Sequence, residues 1–373
     1  MTPRVFQPLT IGDLTAPLPI IQGGMGVAIS LSGLSSAVAE EGGIGTIASV
    51  GIGQLEPDVY ANFVEANARA LRKEIRKARQ LTRGLLAVNI MVAMTNYAEM
   101  VKVSLEEEVD LIISGAGLPL DMPRHRRQET RTKLVPIVSS ARAAGILCKR
   151  WLDKFQYAPD ALVVEGPLAG GHLGFRREEI DDPAFALERL IPQVVAEARR
   201  WEERAEKAIP VIAAGGIWSG ADILRFQKLG AAGVQMATRF VTTEECDASE
   251  AFKQTYIAAA EKDIAIIKSP VGLPGRAIRN AFVDAMEAGE KEPFKCPYHC
   301  IATCDYTTAP YCIALALVNA QRGRFTHGFA FAGANAHRAE RISTVHETVE
   351  ALEAEYSEAL EAEAASRRAA AVP

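Results

Sequence analysis

One unit recurs along this chain and limits its folds more than any other feature: a short apolar strand, a glycine or polar turn, then a helix. Strands are predicted at 18–22 (LPIIQ), 44–48 (IGTIA), 85–91 (LLAVNIM), 109–113 (VDLII), 134–138 (LVPIV), 161–165 (ALVVE), 210–214 (PVIAA) and 233–237 (GVQMA). Each is short and apolar on both faces, as suits a parallel strand covered on either side. Between them, residues 57–80 place apolar side chains at helical spacing and end on a basic turn that complements the helix dipole. Residues 139–149 and 219–229 each open on serine, a natural N-cap. Eight such units within about 250 residues have the size of a closed (β/α)8 TIM barrel, an α/β fold. An open doubly wound sheet would show fewer strands and a glycine-rich fingerprint joining the first strand to a helix. The run EGGIGTIASVGIG at 41–53 instead flanks a strand with its glycines, so the barrel is the expected fold.

Beyond about residue 260 the rhythm stops. We expect a barrel over 1–260 and a C-terminal helical, cysteine-containing appendage over 261–373 that covers the barrel mouth. Within it, SPVGLPGRAIRN (269–280) reads as a Pro/Gly loop entering a helix, and the tail from Thr344 as an acidic helix. The chain has 373 residues, 49% apolar and 23% charged, the balance of a soluble globular protein. A net charge of −5 with no Lys/Arg block gives no reason to expect nucleic acid as a partner. No apolar run approaches the eighteen or so residues of a membrane span, and the start lacks the pattern of a signal peptide. A cytoplasmic location is therefore expected, with a small-molecule substrate as partner and a homodimer as the assembly left open.

Barrel enzymes work at the C-terminal ends of their strands, and phosphate usually binds at the loops after strands seven and eight. Those loops read Gly215-Gly216-Ile217 and Ala237-Thr238-Arg239. Adjacent glycines let backbone N–H groups approach an anion, and Thr238 adds a hydroxyl; the plainer alternative is a tight strand-to-helix turn. Strand six runs into Glu165-Gly166-Pro167-Leu168-Ala169-Gly170-Gly171-His172. A lone histidine is more often structural, but this one is expected in a mobile, glycine-rich loop at the catalytic end, with an ordinary pKa that suits proton transfer. After strand one, Gln22-Gly23-Gly24-Met25-Gly26 lets a flat aromatic ligand lie against the backbone. Asn89 at the end of strand three can meet a ring edge or a phosphate. Ser114-Gly115-Ala116-Gly117 is a further glycine-rich mouth loop.

In this order the segments resemble the nitronate monooxygenase (2-nitropropane dioxygenase-like) family, which includes the FMN-dependent enoyl-acyl-carrier-protein reductases. The resemblance spans roughly 18–280 plus Gly333-Ala334-Asn335, and its most specific parts are Ala-Gly-Gly-His-Leu-Gly and Ala-Ala-Gly-Gly-Ile. It implies bound FMN, with the phosphate at Gly215, Gly216, Gln235 and Thr238, the ring near Gly23, Gly24, Met25 and Asn89, and Gly171 as a further cofactor-binding residue. It also implies His172 as the acid/base or substrate-orienting residue. Two features depart from the pattern: a long stretch from Phe175 to Lys207, and a cysteine cluster.

That cluster is Cys296, Cys300, Cys304 and Cys312. On a helix the first three would share one face, and four thiolates would suit an iron–sulfur cluster or zinc, although the spacing matches neither paired zinc motifs nor common ferredoxin runs. Four free, partly buried cysteines are the alternative. Three functions follow: nitronate oxidation with O2, NAD(P)H-dependent enoyl-thioester reduction, and flavin binding without turnover. An acid/base loop at the mouth argues against the last. Between the first two, nitronate oxidation is the expectation.

Overall fold

The computed structural model describes residues 5–370. Two short strands, β1 (Leu9–Ile11) and β2 (Leu14–Ala16), form an antiparallel hairpin. Six parallel strands follow: β3 (Ile20–Gln22), β4 (Ile44–Ala48), β5 (Leu85–Met91), β6 (Leu111–Gly115), β7 (Lys133–Val138) and β8 (Leu162–Glu165). After the two-residue β9 (Gly171–His172) come β10 (Val211–Ala214) and β11 (Gly233–Met236). β11 pairs with β3, and β10 pairs with both β11 and β8, which closes an eight-stranded barrel.

The closure explains why the strands are apolar throughout. On β8, Val163 joins Ile21, Ile44, Leu111 and Ile212 in the barrel interior, while Leu162 and Val164 face the helices. Both faces are dry, so both are hydrophobic. Leu9, Ile11 and Ala16 of the β1–β2 hairpin belong to the interior cluster and plug one end of it.

Each predicted strand forms within two residues of its expected place. The largest slip is at β6, because Asp110 stays outside the strand: its carboxylate accepts from Arg79 (2.7 Å) and from the Leu86 amide (2.8 Å). The helix expected over 57–80 is Phe63–Leu81; residues 57–61 form turns, and Arg69 bonds back to Glu56 and Asp58. Both predicted serine caps form. Ser140 accepts from the Ala143 amide ahead of Ala141–Phe155, and Ser219 makes a capping box with Asp222 ahead of Gly220–Lys228.

The stretch 269–280 departs from its expected loop. β12 (Ile264–Lys268) and β13 (Pro274–Ile278) form a hairpin, and β13 takes β9 on its other edge. Pro274 is the first residue of its strand, where its missing N–H is best tolerated. The helix Ala281–Glu287 follows, capped by Asn280. The tail folds as the helix Val345–Ala370. Among the described residues, no helix is long and apolar enough to cross a membrane.

Candidate active site

A cavity of about 280 Å³ lies between the C-terminal strand ends and the segment that crosses them. All ten residues proposed from sequence for catalysis and cofactor binding line it. Gly23, Gly24 and Met25 follow β3, Asn89 is on β5, and Gly171 and His172 form β9. Gly215 and Gly216 follow β10, while Gln235 and Thr238 flank the end of β11.

Gly215 and Gly216 are both left-handed, with φ of 94° and 78°. Any other residue would be strained there, and a Cβ on Gly215 would lie 2.9 Å from the Gly166 carbonyl. Their N–H groups find no acceptor among the described residues. Nor does the buried Oε1 of Gln235 find a donor. Buried polar groups without partners are uncommon, and several in one cavity fit a bound polar group that completes them. Thr238 Oγ1 accepts from the Gly333 amide (3.2 Å), which leaves its own proton to donate. The Gly215 and Gly216 N–H groups and the Thr238 hydroxyl form a neutral cradle of donors suited to a phosphate, and Gln235 Oε1 is left to accept from another group of the ligand, so the residues present fit FMN.

His172 does not sit in a mobile loop. Its backbone pairs with Gly275 on β13, and the Leu173 amide donates to the Pro274 carbonyl (2.9 Å). The local sequence allows this because Gly170 passes against backbone: a Cβ there would meet Ala332 C and Gly333 N at 2.6 Å. The imidazole Nε2 is 2.7 Å from Ser269 Oγ, and the Phe331 ring stands 4.9 Å away at 63°. Burial pushes the His172 pKa down to about 4, so the ring is neutral at neutral pH.

Three further groups shape the cavity and were not singled out from sequence. Glu165, the last residue of β8, faces the cavity without a partner among the described residues, and burial pushes its pKa up to about 7. Arg276 on β13 is buried and donates to the Pro167 and Ala169 carbonyls, so it holds the turn ahead of His172. Ser269 anchors the imidazole. For Glu165 and Arg276 the signal in the sequence was a charged residue inside or beside an apolar strand; Ser269 had none. Among the described residues no Lys or Arg lines the cavity, and Arg239 is turned away, bonded to the Trp218 carbonyl (2.7 Å) and to Glu355 (2.9 and 3.0 Å).

The expected metal site needs correcting. Cys296, Cys300 and Cys304 do not share a helical face, because 288–312 is irregular and Cys312 only caps the helix Ile313–Gln321. All four thiols are free, and among the described residues no three His, Cys, Asp or Glu side chains are arranged to hold a metal ion. Of the four, Cys300 alone lines the cavity. Burial, then neighbouring Cys312, Cys296 and Cys304, push its thiol up to about 12, so it is an inert wall.

The family model described as nitronate monooxygenase matches residues 8–355. A probable nitronate monooxygenase of Staphylococcus aureus (strain MSSA476) is 29% identical over 313 residues, which cover 74% of this chain and 79% of that protein. FabK from Thermotoga maritima superposes with a TM-score of 0.72 at 29% identity, over 93% of this chain and 95% of that one. A nitroalkane oxidase from Streptomyces ansochromogenes shares the fold, with a TM-score of 0.70 at 23% identity over 93% and 98% of the two chains.

Proposed function

The chain belongs to the nitronate monooxygenase family, and we propose that it is an FMN-dependent oxidoreductase that converts nitronates, or their parent nitroalkanes, to carbonyl product and nitrite with O2. The observation that supports this reading is the cavity itself: unpartnered backbone N–H groups after β10 and a neutral histidine line one space. Gly215, Gly216, Gln235 and Thr238 would hold the FMN phosphate, and Gly23, Gly24, Met25, Asn89 and Gly171 would hold its ring. When bound, FMN supplies the electron acceptance and the reactivity toward O2. His172 meets the substrate's nitro or nitronate group. Ile217, Val271 and Phe331 line the same space and keep water away. In this reading 1–260 is the barrel, and 261–373 is the appendage that completes and covers its mouth.

One observation favours the second reading, enoyl-thioester reduction. The outer wall is apolar, with Val27, Val50, Phe63, Ile301, Ile313 and Leu317 facing the cavity, and it would receive an acyl chain as readily as an alkyl nitronate. Oxygen uptake with propyl-2-nitronate, set against NADH consumption with a crotonyl thioester, separates the two. Uptake without NADH is expected; NADH-dependent reduction of the thioester alone would overturn the first reading. The cofactor has its own test. The protein should carry about one FMN per chain, and Gly215→Asp should eject it by placing a carboxylate against the phosphate.

A further inference from the structure

We propose that Ser269 is the positioning residue that holds His172 in its Nδ1–H tautomer, so that the ring offers the cavity a hydrogen-bond donor and not a base. The proposal rests on the reading of His172 as the group that meets substrate.

A neutral imidazole has one donor and one acceptor nitrogen, and a serine hydroxyl has one proton and two lone pairs. Ser269 follows β12 in the hairpin turn and is 2% exposed, so its hydroxyl must find partners in the protein. One lone pair already takes the Val271 amide at 3.4 Å, within the same turn. Among the described residues the only other partner of the hydroxyl is Nε2, at 2.7 Å. If Nε2 carried the ring proton it would donate to Oγ, and the serine proton would be buried with no acceptor. The cost of one unmade hydrogen bond biases the two tautomers by roughly tenfold or more. The hydroxyl therefore donates to Nε2, and the ring proton sits on Nδ1.

The ring cannot easily turn over to escape this. The β9–β13 pairing holds its backbone, and Phe331 stands edge-on at 4.9 Å. Among the described residues Nδ1 has no partner, yet it is not a fully buried atom, so it opens onto the cavity that His172 lines.

The consequence is chemical. With a proton on Nδ1 and the Nε2 lone pair engaged, His172 has no free lone pair with which to take a carbon-bound proton. It can donate to an oxygen, as neutral histidines do when they polarise a carbonyl. The site is thereby matched to a preformed nitronate, whose proton has already left, and poorly matched to a neutral nitroalkane.

The test is a two-bond ¹H–¹⁵N spectrum of the ¹⁵N-histidine-labelled holoenzyme at pH 7, with the His172 signals assigned by their loss in His172→Gln. Nδ1 should show a protonated, pyrrole-type shift and Nε2 an unprotonated, pyridine-type shift. In Ser269→Ala the two shifts should move toward each other as the tautomers mix. FMN should stay bound, and kcat on propyl-2-nitronate should fall by about tenfold with KM little changed. A proton found on Nε2 in the unaltered protein would overturn the proposal, whether or not Ser269→Ala folds. So would an unchanged tautomer in Ser269→Ala. Preformed nitronate should also be consumed at least about tenfold faster than the nitroalkane at the same concentration. The spectrum is independent of the substrate, so a protein with the expected tautomer that turns over no nitronate would refute the functional reading and leave this one standing.

Discussion

His172 and Glu165 both face the cavity, and burial displaces their pKa values in opposite directions. His172 is pushed down to about 4 from its usual 6.5. The unfolded chain takes up that proton near pH 6.5 and the native protein does not, so His172 costs stability only as the pH falls below 6.5. Between pH 5.5 and 8 its NMR signals should not titrate; a midpoint near 6.5 would show the ring open to bulk water. His172→Ala should keep FMN and lose at least about a hundredfold in turnover, the scale of a lost acid/base or donor group. Glu165 is pushed up to about 7 from 4.5. The unfolded chain loses this proton near pH 4.5 and the native apoprotein only near 7, so stability drains away as the pH rises through that window. Glu165→Gln should therefore melt higher than the unaltered apoprotein at pH 8 and equally at pH 4. An equal gain at both pH values would mean that charge burial is not the reason. Sequence placed Glu165 at a strand end but could not show that its carboxyl lacks a partner.

At the scale of elements, the segment from Phe331 to Asn335 ties together loops that the barrel strands only bring near each other. The Ala332 amide donates to the Arg276 carbonyl on β13, and the Ala334 amide to the Leu168 carbonyl after β8. The Gly333 amide reaches Thr238, and Asn335 Nδ2 donates to the Gly216 carbonyl at 2.7 Å. The cradle proposed for the phosphate is thus set from the far end of the chain. Asn335→Ala should weaken FMN binding by about fivefold, as expected for the loss of one hydrogen bond worth about 1 kcal/mol, and leave the barrel's circular dichroism unchanged. Fluorescence titration of the apoprotein measures this, and unchanged affinity would mean that the cradle is set by the barrel loops alone. The motif Gly333-Ala334-Asn335 could be noticed in the sequence. Its partners could not, because Thr238, Gly216 and Leu168 each lie 95 or more residues away.

For the whole molecule, the C-terminal helix Val345–Ala370 acts as a strut against the barrel. Glu355 accepts from the Gly220 amide (2.8 Å) and from both terminal nitrogens of Arg239, whose guanidinium also reaches the Trp218 carbonyl. Glu355 is about one-third exposed, so solvent tempers the pair; Glu355→Ala should cost about 1–2 kcal/mol, read as a lower urea midpoint with the slope unchanged. No change would assign the helix's hold to apolar contacts such as Leu352 and Tyr356. The contrast between barrel and appendage also shows what sequence alone determined. Strand spacing, serine caps and the glycine-rich strand ends depend on neighbours a few residues apart, so the eight strands and the glycine-rich loops that line the cavity were readable in order. The pairing of Ser269 with His172, the hold of Arg276 on Pro167 and Ala169, and the dispersal of the four cysteines over an irregular segment depend on contacts between distant parts of the chain. Local propensity carries no information about which distant backbone will lie alongside; packing of the C-terminal segment across the barrel mouth decided those.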